Sequence, residues 1–81
     1  MLLQEDVDRD CALGSTTANG ATVLQSAPYS ASERGVVVLC FWHGEFVTWV
    51  IDLATREAFW GHYHGPDLAG ALADFNLRAG R

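Results

Sequence analysis

Apolar residues are sparse along the first third of the chain and become dense and periodic after Gly35. Val36-Val37-Val38-Leu39-Cys40-Phe41-Trp42 is β-branched and aromatic, with no position left for a solvated face, and predicts a strand buried on both sides. His43-Gly44 supplies a tight turn. From Glu45 to Leu53 the side chains alternate, with Val47, Trp49, Ile51 and Leu53 pointing one way and Phe46, Thr48, Val50 and Asp52 the other. Ala54-Thr55-Arg56-Glu57 predicts a second turn, and Ala58-Phe59-Trp60-Gly61-His62-Tyr63 a third strand, completing an antiparallel meander.

The period then changes. Leu68, Ala71, Leu72, Phe75 and Ala79 recur at i, i+3, i+4, i+7 and i+11, the stripe of an amphipathic helix, with Leu77 on the opposite face. Gly65-Pro66-Asp67 opens it, proline suiting the first helical position and aspartate the positive end of the dipole. Arg78 and Arg81 suit the negative end, and Gly80 is a natural cap. The fold class expected is α+β, an antiparallel meander of three to five strands with a C-terminal helix packed on one face. Val38, Trp49, Ile51, Leu72 and Phe75 are the expected joint core. One helix covers one face, so Phe46, Val50 and one of Phe59 and Trp60 need another cover: the N-terminal segment, a second copy, or a partner.

Residues 1–34 form a polar segment ahead of the 35–81 sheet and helix. Leu3, Val7 and Cys11 at i, i+4, i+8 allow a short helix, although interspersed aspartates weaken it. Asn19-Gly20 is a two-residue type I′ hairpin signal, with Ser15–Ala18 and Ala21–Gln25 as its strands. At 81 residues the chain makes one small domain, and its 49% hydrophobic content, with three Trp, two Tyr and four Phe, supplies a real core. Ten acidic residues face five basic ones, all arginine, for a formal −5. Such a surface repels phosphate, so direct nucleic-acid or anionic-membrane binding is disfavoured. No signal-peptide pattern follows Met1, and no run is long enough for a membrane span, which leads to the expectation of a cytoplasmic protein. Cys11 and Cys40 form no CxxC pair and are expected as reduced thiols.

Chemistry-bearing patterns are few. His62-x-His64 places two imidazoles on one side of a strand, with His43 and Cys40 near the first turn, but a metal site needs three or four ligands and no second spaced pair completes one. Cys40 sits inside an apolar strand, where a thiol behaves as a small hydrophobe rather than a nucleophile for His43. No GxSxG, HExxH, GxxxxGK[ST] or GxGxxG pattern occurs. Neither an enzyme nor a cofactor is expected. Glu5, Asp6, Asp8 and Asp10 form a dense acidic cluster, relieved by Arg9, and Glu45 and Glu57 add negative charge at the turns.

A very short, acidic chain without enzyme motifs and rich in aromatics resembles, in profile and not by any shared motif, the small phage-encoded anti-CRISPR proteins. The resemblance implies a stoichiometric inhibitor, acting as monomer or homodimer in the host cytoplasm, whose acidic side chains mask a basic nucleic-acid-binding surface of a CRISPR effector complex. Glu5, Asp6, Asp8, Asp10, Glu45, Glu57 and the aromatic anchor Trp60 are the expected partner-binding residues. The alternative is a small homodimeric accessory or antitoxin-like protein using the Phe46/Val50 sheet face.

Overall fold

A computed structural model describes Gln4, Gly14, Thr16, Thr17 and residues 19–81. Four strands, β1 (Thr22–Pro28), β2 (Gly35–Trp42), β3 (Glu45–Asp52) and β4 (Ala58–Tyr63), form one antiparallel sheet in the order β1-β2-β3-β4, followed by helix α1 (Leu68–Arg78). This is the expected α+β meander with a C-terminal helix. The β2–β3 turn takes positive φ at both His43 (50°) and Gly44 (80°), the backbone of a type I′ hairpin, whose twist matches that of the strands. The reversal at Asn19-Gly20 is also present, but left-handed φ falls on Gly20 and not on Asn19, and Gly20 N–H donates to Thr17 O at 3.0 Å. The turn is therefore a wider one than the two-residue type I′ form. It leads into β1, with an isolated Thr16–Thr22 bridge and a Gly14 N–H to Val23 O bond of 2.7 Å across the reversal. The short helix expected around Leu3, Val7 and Cys11 lies outside the described residues.

Strand β2 is buried on both sides from Gly35 to Cys40, as its composition predicts, but its end is not, Phe41 being exposed and Trp42 half-buried. Val36, Val38 and Cys40 pack with Val23, Val47, Trp49 and Ile51 on one face; Val37 and Leu39 pack with Ala27, Ala71 and Phe75 on the other. This corrects the expected core. Phe75 and Leu72 do not meet Val38, Trp49 and Ile51, because α1 docks on the opposite face, the one bearing Phe46 and Thr48. The Val38 face carries instead an aromatic group in which Trp42 and Trp49 stand edge-to-face at 5.3 Å and Tyr63 meets Trp49 at 6.1 Å. Side-chain alternation fixes the two faces but is silent on which one the helix takes. Polar pairing chooses: Thr48, in the middle of β3 and fully buried, has its partners on α1.

The helix ends are set by local chemistry. Asp67 is the N-cap, its carboxylate accepting from Gly70 N at 2.9 Å, so Pro66 precedes the cap and does not occupy the first helical position. Gly70 leaves room for that carboxylate, which a β-carbon at this position would force to shift. At the other end Gly80 (φ 76°) donates to Leu77 O and Arg81 N to Asn76 O, the paired bonds of a Schellman motif. Leu77 is exposed, as its place off the stripe predicts.

Candidate functional site: a bulged aromatic edge and its polar support

Between β3 and β4 the register slips. Thr48 pairs with His62 and Val50 with Phe59, so Trp60 and Gly61 together oppose Trp49. This is a β-bulge, which re-aims a side chain and sharpens the local twist. Gly61 is needed because a β-carbon would lie 2.5 Å from Trp49 Nε1. Trp60 takes φ 53°, a left-handed conformation that costs a bulky residue of order 1–2 kcal/mol. The residue is 66% exposed. A large indole held at a strained backbone position, yet left in solvent, gains little packing there.

The strain is held by a polar cluster beneath it. Arg78 Nη2 donates to Trp60 O at 2.7 Å, while Nη1 donates to Thr48 Oγ1 at 3.1 Å and Thr48 O at 3.3 Å. Asp74, one turn earlier on α1, accepts from the Thr48 hydroxyl and stands 2.9 Å from His62 Nδ1 and 3.4 Å from His64 Nε2. The Arg78 and Asp74 side chains are only 10% and 17% exposed. Burial by itself raises the Asp74 pKa, but the hydrogen bonds from Thr48, His62 and His64, with the charge of His62, outweigh it and hold the carboxyl below its ordinary value.

His62 and His64 do share a side, as their spacing implies, but they converge on Asp74. Among the described residues no group of three or more His, Cys, Asp and Glu is arranged to hold a metal ion. The Thr48 hydroxyl that Asp74 binds is fully buried.

Where α1 ends, with Ser30 Oγ donating to Arg78 O at 3.2 Å, the same sheet face continues into a hollow of about 190 Å³ lined by Tyr29, Gly35, Val50, Asp52, Phe59 and Trp60. Gly35 gives Tyr29 its seat, a β-carbon there coming within 3.1 Å of the ring. The bulge brings Trp60 to the same hollow as its neighbour Phe59, with ring centroids 6.1 Å apart. Phe46 packs, partly buried, against the helix cluster, and Val50 is buried and lines the hollow. The face bearing Phe46 and Val50 is thus the one that α1 packs on, in place of the separate cover expected for it, with Phe46 left partly buried.

Of the expected partner-binding residues, Trp60 lies in this hollow. Glu57 is exposed in the β3–β4 turn, beside a separate groove with Arg56 and Ala58. Glu45 begins β3 opposite Trp42, away from the hollow, so the three are not brought to one point. Glu5, Asp6, Asp8 and Asp10 lie outside the described residues. The sequence reading missed Tyr29, Asp52, Asp74 and Arg78. Two signals pointed toward them: the i, i+4 acid–base pair on the helix, and a glycine inside a strand pattern, which marks a bulge. Among the described residues no helix is long and apolar enough to cross a membrane. Compared with protein-family models, curated proteins and solved structures, the chain matches none of them.

Proposed function

We propose that this chain is a non-enzymatic binding protein that docks, one to one, on a basic surface of another protein, with Trp60 as its anchor. The observation that carries the reading is the exposed Trp60 at φ 53° beside an aromatic hollow. A folded chain that keeps a bulky residue in a strained, solvated position commonly does so for a contact made elsewhere. Buried Trp anchors dominate protein interfaces, and acidic surroundings steer a basic partner toward them. The formal −5 charge supplies the steering. The partner implied by the profile resemblance is a CRISPR effector complex, whose nucleic-acid-binding surface would be masked.

The test is affinity for a purified effector complex at low and high salt, using wild type, a Trp60→Ala variant and an acid-to-arginine variant at Glu5, Asp6, Asp8 and Asp10. Exposed charges are screened beyond about 8 Å at physiological ionic strength. Binding should therefore weaken with salt, charge reversal should chiefly slow association, and Trp60→Ala should chiefly speed dissociation. Absence of binding at low salt, or binding indifferent to salt and both variants, refutes the reading.

A further inference from the structure

The hollow at Trp60 combines two features that rarely share a purely apolar pocket. Its walls are aromatic, with Tyr29 and Trp60 centroids 6.4 Å apart at 53° and Phe59 and Trp60 at 47°, so the rings are tilted and do not cover one another's faces. Its lining also includes one acidic residue, Asp52. We propose that the hollow receives the guanidinium of an arginine side chain presented by the protein partner. This deepens, and rests on, the binding reading above.

Each component fits that occupant. Aromatic faces carry negative quadrupole density and attract a cation placed over them, tryptophan most strongly. A guanidinium is planar and weakly hydrated, so it enters a half-enclosed aromatic site more readily than the compact, strongly hydrated ammonium of lysine. An apolar side chain in the same place would strip water from Asp52 without giving it a new partner. Asp52 is already oriented, since its Oδ1 accepts from Ala54 N at 2.8 Å. Its Oδ2 meets Arg34 Nη2 in one long contact of 3.4 Å, and the Arg34 side chain is 70% exposed. An incoming guanidinium can therefore share Asp52 with Arg34 or take Arg34's place, with Val50 and Gly35 also in the lining. The acidic excess of the chain favours the same sign of ligand.

The probe is N-acetyl-arginine amide, titrated into the purified chain and followed by Trp60 indole and aromatic-ring NMR shifts. The neutral, isosteric N-acetyl-citrulline amide serves as control. Saturable binding on the order of millimolar is expected, as so small a contact allows. Citrulline amide should bind at least about fivefold more weakly, the difference being the lost charge. Asp52→Asn, which keeps the acceptor for Ala54 N, should weaken arginine-amide binding to a similar extent. Arg34→Ala should strengthen it by about twofold or more, by freeing Asp52. Trp60→Ala should abolish the shifts at Tyr29 and Phe59 while the amide spectrum stays folded. Equal binding of the citrulline amide, or shifts that ignore Asp52→Asn, would overturn the proposal. If arginine amide binds the hollow but no basic protein surface is engaged, the pocket stands and the proposed function fails. If a complex forms and Asp52→Asn leaves it unchanged, the proposed function stands and the pocket proposal fails.

Discussion

Replacing Asp74 by alanine tests the polar support of the bulge most directly. The carboxylate accepts from Thr48 and from two histidines and lies 3.9 Å from Arg78 Nη1. Its removal leaves the Arg78 guanidinium in a largely buried setting without its counter-charge, and the fully buried Thr48 hydroxyl without an acceptor. Stranding a buried hydroxyl costs ~1–3 kcal/mol, and breaking a buried ion pair ~3–5 kcal/mol. The lower part of that range applies here, because Arg78 keeps its bonds to Thr48 O and Trp60 O and because His62 is half exposed and regains water. Alanine returns ~0.5 kcal/mol of helix propensity. The expected net loss is therefore about 2–4 kcal/mol at pH 7, read from urea unfolding.

The pH dependence gives a second and sharper readout. The folded Asp74 carboxyl is more acidic than the unfolded one. Its stabilising contribution is therefore complete above the unfolded value of about 3.9, and it declines as pH falls through the folded value. The gap between wild type and Asp74→Ala should narrow as pH is lowered from about 5 toward 2, within the range set by carboxylate titration. A loss below about 0.5 kcal/mol, or a gap that stays constant or widens in acid, would refute the argument that Asp74 anchors helix to sheet.

Other expectations follow from single contacts. Phe75→Ala opens a cavity among Ala27, Val37, Leu39 and Ala71 and should cost ~3–5 kcal/mol, and an unchanged melting temperature would show that the helix does not dock there. Trp60→Gly relieves the left-handed strain at a mostly exposed position. Stability should stay level or rise by up to ~1 kcal/mol while partner binding falls, and a clear destabilisation would mean that the indole is structural. Gly61→Ala must displace Trp49, so the Trp49 near-ultraviolet signal and the stability should both drop, and an unaltered spectrum would contradict the bulge geometry. Cys40 is fully buried and should label slowly with thiol reagents in the folded protein, whereas rapid labelling would overturn the burial of β2.

What the sequence determined by itself was local and periodic. The unbroken apolar run from Val36 to Trp42 reads as a strand with both faces covered, and that holds from Val36 to Cys40, whereas Phe41 is 43% exposed. The alternation from Glu45 to Asp52 sorted Trp49 from Thr48 before any contact was known, and the stripe through Ala71 and Phe75 named the helix face. These follow from backbone geometry acting over a few residues. Tertiary structure decided which sheet face α1 covers, because both faces are apolar and the choice rests on four polar groups, Thr48, His62, Asp74 and Arg78, from distant parts of the chain. It also decided the meaning of Trp60. In sequence it is one more aromatic in a strand; the bulge, forced by Trp49 over Gly61 and held by Arg78, turns it out beside Tyr29 and Asp52. Long-range pairing of that kind leaves no period in the sequence, so the hollow becomes visible only when the strands and the helix are in register.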